Sequence, residues 1–211
     1  VSQACDKAGN CATLASNVFK MDNTAPTITY GTNGNSTYAK SHSTKVTASD
    51  SHSTLNTLKY ITGTSSTATP STALTNGGTV TISSVTGNYY VVSQACDKAG
   101  NCKKLASNVF KMDNTGPTIT YGTNGNSTYA KSRSTTVTAK DTYSDVAEIK
   151  YYVSNIKLTT NELKEIESNK WIDYEDKITL NKKGTYIIYI RVTDTLKHKA
   201  YYNTDYIIFG G

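Results

Sequence analysis

The residues richest in possible chemistry are two copies of one run, Cys5-Asp6-Lys7-Ala8-Gly9-Asn10-Cys11 and Cys96-Asp97-Lys98-Ala99-Gly100-Asn101-Cys102, which between them hold all four cysteines of the chain. Five residues separate the cysteines each time, a spacing that suits a local disulfide across a hairpin. Zinc is the competing chemistry. It wants four ligands, whereas one pair per copy supplies two and no histidine lies nearby. Two disulfides are therefore expected, Cys5–Cys11 and Cys96–Cys102, and with them an oxidising, extracellular or cell-surface setting.

Other candidate chemistry is thin. His42, His52 and His198 fall at predicted strand ends or in loops, and His42 becomes Arg133 in the next copy, so all three are expected on exposed surface. Calcium at a domain joint would draw on Asp113 and Asn114. Such an ion takes about six or more oxygens, and residues 26–116 hold only Asp50, Asp97 and Asp113. Capping of a turn is the plainer role for these groups. A Lys–Asn isopeptide bond needs a buried carboxylate, for which only Glu148 comes forward, and charged strand residues are rarely buried. Tyr151, Tyr152, Trp171, Tyr174, Tyr201 and Tyr202 could form a sugar-stacking platform, although ordinary strand faces account for them with fewer assumptions. No nucleophile, base and orienting group come together, so the expectation is no enzyme, no catalytic residue, no cofactor and no metal.

These residues sit on a repeat. Residues 1–51 and 92–142 match at 44 of 51 positions with an offset of 91, a period that is domain-sized and implies an array of beads. Three parts follow: residues 1–25, the C-terminal hairpin of an incomplete unit; 26–116, a complete unit; and 117–211, a complete but divergent one. The chain starts at Val1, whose counterpart Val92 lies inside a predicted strand. The first hairpin is expected to be completed by further sequence of its own unit, with strand addition to another chain as the alternative.

Thr, Tyr, Val and Ile are abundant, while Ser, Asn and Gly punctuate the chain every few residues, which predicts short strands. Pro26 opens the second unit after Asp22-Asn23-Thr24-Ala25, giving a short, stiff joint. Strands are read at residues 27–30, 45–48, 58–61 and 79–85, with Asn33-Gly34 as a turn. After Gly87, alternation puts Tyr89, Val91, Ser93 and Ala95 toward the core and Cys96 outward beside Cys102.

The third unit diverges after Asp141, yet its end aligns at an offset of 97, with Gly184, Tyr186, Ile188, Ile190, Val192 and Asp194 in the places of Gly87 to Asp97. Thr193 and Lys199 replace both cysteines together, as a pair that matters only as a pair would. Thr159-Thr160-Asn161-Glu162 predicts a capped helix over about 160–167, with strands at 147–153 and 177–180 on either side.

The run Gly-x-Tyr-x-Val-x-x-x-Ala-x-Asp-Lys-Ala-Gly-Asn from Gly87 to Asn101, followed by Asp113-Asn114-Thr115-Gly116-Pro117, resembles the end of a bacterial immunoglobulin-like repeat from secreted and surface proteins. The third unit resembles a related variety in large surface proteins of Gram-positive bacteria, through Ile149 to Val153, Gly184 to Tyr189 and Tyr202 to Asp205. It departs at Leu196 to His198, where Ala-Gly-Asn belongs, and this bears on how tight that turn can be. The resemblance implies an all-β chain of tandem immunoglobulin-like β-sandwich domains, in agreement with the short, regularly spaced strands.

The formal charge of +6 forms no basic block, which argues against nucleic acid as a partner. No apolar run is long enough to span a bilayer. The expected function is a structural repeat of an extracellular stalk or fibre; an adhesive or carbohydrate-binding module with its ligand face on the last unit is the alternative. The expected partners are neighbouring repeats, other copies in a fibre, and a glycan or wall polymer.

Overall fold

The computed structural model describes residues 1–209, so that Gly210 and Gly211, the last two positions of the third unit, lie outside the described residues. Residues 1–25 supply one antiparallel hairpin, β1 (Ser2–Cys5) and β2 (Cys11–Leu14), with Cys5 opposite Cys11. Its turn is held by the Asp6 carboxylate, which accepts hydrogen bonds from the backbone N–H of Ala8 and Asn10, both at 2.9 Å, and from Asn10 Nδ2 at 2.8 Å. Among the described residues none packs over this hairpin, and Leu14, Val18, Phe19 and Met21 are exposed.

Residues 26–116 fold into nine strands: β3 (Thr27–Tyr30), β4 (Asn35–Ala39), β5 (Ser41–Ser49), β6 (Leu55–Gly63), β7 (Thr72–Ala73), β8 (Thr79–Ser83), β9 (Gly87–Asp97), β10 (Cys102–Ala106) and β11 (Phe110–Met112). One sheet runs β3-β5-β8. The other runs β4-β11-β9-β6-β7, with β10 also on β9. Alternation along β5 puts Thr44, Val46 and Ala48 inside, where they join Ile28, Val80 and Ile82 against Leu58, Val91, Ala95, Phe110 and Met112 of the facing sheet. The face of β9 expected inward, with Tyr89, Val91 and Ala95, is the one that meets this core. Tyr30 Oη crosses between the sheets, donating to the carbonyls of Val91 at 3.0 Å and Leu105 at 2.7 Å. At the turn before β4, Gly34 has φ +81°, and a Cβ there would fall 2.6 Å from that of Asn108, so the close approach of the two loops requires glycine.

Strand β9 runs the length of the unit, roughly 35 Å for eleven residues. Its start pairs with β11, Gly87 opposite Met112, and its end pairs with β10, Cys96 opposite Cys102. The two ends of β9 are therefore the two ends of the bead.

The third unit repeats the plan in β12 (Thr118–Tyr121), β13 (Arg133–Thr135), β14 (Val137–Lys140), β15 (Val146–Ser154), α1 (Thr160–Glu165), β16 (Ile172–Asp173), β17 (Ile178–Leu180), β18 (Gly184–Asp194), β19 (Lys199–Asn203) and β20 (Ile207–Phe209). Its large sheet is β16-β15-β18-β19 with β20 on β18, facing the pairs β12-β14 and β13-β17. Helix α1 has the predicted capping box: Thr159 Oγ1 accepts from the Glu162 N–H at 3.3 Å and Glu162 Oε2 accepts from the Thr159 N–H at 2.7 Å. It stops at Glu165, two residues short of expectation, because Ile166 turns extended and packs on Leu163 and Trp171. The sandwich interior gathers Val137, Ile178, Ile188, Ile190 and Ile207, and the other face of the large sheet buries Leu163, Trp171, Ile187 and Tyr189 beneath the helix segment. The fold is all-β, immunoglobulin-like and tandem, with one short helix.

Candidate functional site at the domain joints

Both disulfides are present, Cys5–Cys11 and Cys96–Cys102, with Cα atoms 4.0 and 4.1 Å apart. In the third unit Thr193 and Lys199 face each other in the same register without a bond. Each staple closes a hairpin tip, and Cys102 stands exposed on the surface. The polar groups that concentrate away from solvent lie instead beside those tips, where one unit meets the next.

At the first joint, Asp22 turns back on itself and its Oδ1 accepts from the Thr24 N–H at 2.9 Å and the Thr24 hydroxyl at 2.6 Å. Asn101, on the β9–β10 turn of the next unit, donates through Nδ2 to the Asp22 carbonyl at 3.2 Å and to Asp97 Oδ2 at 3.0 Å. Asp50 Oδ1 closes the β5–β6 loop by accepting from the N–H groups of His52 and Ser53. Asp22, Asp50 and Asp97 thus converge, each offering a carboxylate oxygen within 4.8 Å of the others. Asp97 is 1% exposed.

The second joint has the same construction. Asp113 Oδ1 accepts from the Thr115 N–H at 3.0 Å and its hydroxyl at 2.8 Å. Asp194 takes the place of Asp97 and Asp141 that of Asp50, with the Ser144 hydroxyl bridging Asp141 Oδ1 and Asp194 Oδ2. His198 stands where Asn101 stood, donating its N–H to Asp194 Oδ1 at 2.8 Å with Nδ1 2.7 Å from Oδ2. Asp113, Asp194 and His198 again present ligand atoms within 4.8 Å of one another, and Asp113 and Asp194 are both 0% exposed.

Three of these carboxyls, those of Asp22, Asp97 and Asp194, are held below the ordinary carboxylate range. The Thr24 hydroxyl is the main cause that brings Asp22 down to about 2. Burial opposes the charge on Asp97 and Asp194, yet hydrogen bonds from Asn101 and His198 outweigh it and keep both below the ordinary range. Either trio could hold a cation.

Histidine placement corrects the sequence expectation. His198 is mostly buried against Asp194. His52 is exposed but reaches the first joint, with Nδ1 3.3 Å from Thr24 Oγ1, and His42 bonds through Nε2 to the carbonyls of Thr37 and Lys111. Asp113 does not join Asp50 and Asp97, since it leaves its unit at the opposite end. Asp22 joins them from the preceding unit, a partner that the 91-residue offset between Asp22 and Asp113 could have pointed to. Nor do the aromatics make a platform: Trp171 is 4% exposed, with Tyr152 and Tyr201 at 6.0 Å and Arg191 over its ring, while Tyr151, Tyr174 and Tyr202 pack on the sandwich core. Glu148 is partly exposed and paired with Lys150 and Arg191.

No protein-family model matches the sequence, and no curated protein sequence does. Among solved structures, the chain is similar to the fibronectin(III)-like modules of Clostridium thermocellum CbhA, with 14% identity, a TM-score of 0.34, and 87% of this chain and 94% of that one covered. It is also similar to the three N-terminal domains of the bacteriophage RB49 Highly Immunogenic Outer Capsid protein (Hoc), with 19% identity and a TM-score of 0.36 over 88% of this chain and 59% of that one.

Proposed function

We propose that the chain is a run of structural beads from an extracellular stalk or fibre, whose work is to hold another part of its protein at a fixed distance from a surface. The supporting observation is that the joint repeats. In both joints an Asp-x-Thr turn closes on its own carboxylate and seats beside the carboxylate at the end of the next long central strand. A linker that grips the same place each time repeats one spatial step, whereas a unique binding surface would need no such recurrence. The two disulfides support an oxidising setting. Neighbouring repeats are the partners on this reading, and the chain has no catalytic role of its own.

Small-angle scattering on chains carrying increasing numbers of the repeat tests it. The maximum dimension should grow by a constant step of roughly 35 Å or more per unit, set by the length of β9. A particle that stays compact as units are added would defeat the proposal.

A further inference from the structure

Asp113 is wholly buried, and only one of its oxygens has a use: Oδ1 takes both bonds from Thr115, while Oδ2 is buried without any donor. At the other joint Asp22 is only partly buried: its Oδ1 is satisfied by Thr24, its Oδ2 is shut away from solvent without a close donor, and the carboxyl also draws on the Ser53 hydroxyl. A buried carboxylate oxygen with no donor is costly. Here each also faces further carboxylate within 4.8 Å. Among the described residues, no lysine or arginine forms an ion pair with Asp22, Asp50, Asp97, Asp113 or Asp194; the pairs that exist lie on Glu148, Asp173 and Glu167. His198 beside Asp194 and His52 near Asp22 carry charge only when protonated, so among these residues no fixed positive charge pairs with either trio, and the spacing says what kind of ion would. Oxygens that share one calcium ion at 2.3–2.6 Å each stand no more than about 5 Å apart.

We propose that each joint is a divalent-cation site bridging two units, calcium-selective at Asp22, Asp50 and Asp97, and tuned by His198 toward a borderline ion such as zinc at Asp113 and Asp194. The first trio offers only oxygen, the donor set of a hard cation. In the second, His198 Nδ1 lies 2.7 Å from Asp194 Oδ2 and so adds a nitrogen to the oxygens of Asp113 and Asp194. An imidazole nitrogen among carboxylate oxygens shifts the donor set from that of a hard cation toward that of zinc. The inference rests on the stalk reading for its purpose, since an ion shared between beads stiffens the joint, but not for its test.

The experiment is metal titration of the whole metal-free chain by calorimetry, with calcium and zinc in separate runs and a thermal-shift readout beside each. Calcium should bind once, with the affinity of an extracellular module, roughly 10⁻⁴–10⁻³ M or tighter, and Asp22→Asn should abolish that event while zinc binding survives. Asp113→Asn should abolish the zinc event alone. His198→Asn, which restores the residue present at Asn101, should replace the zinc event with a second calcium event. Both aspartate variants keep the Oδ1 bonds, and circular dichroism matching the parent establishes that they fold. Absence of both ions up to millimolar concentration, or binding unchanged in Asp22→Asn and Asp113→Asn, overturns the site. Scattering tells the two readings apart: an extended particle that binds no metal removes the site and leaves the stalk, and a compact particle that binds metal does the reverse.

Discussion

Lys197 occupies the left-handed turn position that Gly100 holds one unit earlier, with φ of 69° against 96°. Around both residues the turn is closed in the same way. Asp97 N–H reaches the Asn101 carbonyl at 3.0 Å and Asp194 N–H reaches that of His198 at 3.1 Å. The divergent sequence Leu196 to His198 has kept the turn and accepted a side chain where glycine fits best.

Replacing Lys197 by Gly should therefore stabilise the third unit. A non-glycine residue in this region costs roughly 1–2 kcal/mol, and glycine returns about 0.5–1 of that as lost chain entropy. A net gain of roughly 0.5–1 kcal/mol is expected. Trp171, the single tryptophan and a core residue of this unit, reports it through fluorescence-monitored denaturation.

The staples should act locally. A ring as small as Cys96 to Cys102 contributes about 2 kcal/mol by loop closure. Changing both residues to Ser should lower the urea midpoint of the second unit, followed by circular dichroism, and leave the Trp171 transition where it was. A shift in both transitions would mean that the staple acts across the joint.

Phe19 and Phe110 are the same residue of the repeat in two settings, 83% and 1% exposed. Phe110→Ala should cost about 3–5 kcal/mol in the second unit. Phe19→Ala should fall within about 0.5 kcal/mol of the parent. Equal effects in a denaturation series would contradict the open hairpin.

The capping box of α1 sets a pH dependence. Hydrogen bonds from Thr159 hold the Glu162 carboxyl below its usual value. A depressed folded-state value stabilises the fold above the unfolded pKa, about 4.3, and that stabilisation is lost as pH falls through the folded value. The third unit of Glu162→Gln should melt below the parent at pH 7. The gap should close under acid conditions, as thermal melts on Trp171 emission can follow.

Much of this architecture was legible because it is written in alternation and repetition. Tyr89, Val91 and Ala95 face the core as a period of two dictates, and Thr159 with Glu162 announces the helix. The short strands β4, β7 and β13 were not legible, since Asn35 to Ala39, Thr72-Ala73 and Arg133 to Thr135 are polar stretches that become strands only by pairing with distant partners. The joint sites were hidden for a related reason. Asp22, Asp50 and Asp97 are far apart in the chain and each alone looks like a turn cap, as Asp6 is in the open hairpin. Which way Trp171 would face was not legible, since its cover, Leu163 and Tyr201, comes from either side of it in sequence.

Strand β11 has a mechanical consequence. Met112 completes the core and the next residue, Asp113, belongs to the joint, so there is no slack between bead and linker. Tension arriving at Pro26 beside the Asp97 end of β9 leaves through β11 at the Gly87 end. Because β11 lies parallel to β4 and antiparallel to β9, a pull draws it along its own axis and loads its hydrogen bonds together in shear, rather than peeling them one by one. The Cys96–Cys102 ring shortens the extensible contour only by its own small loop. Resistance to force thus resides in three residues, Phe110, Lys111 and Met112, and in the neighbours that hold them.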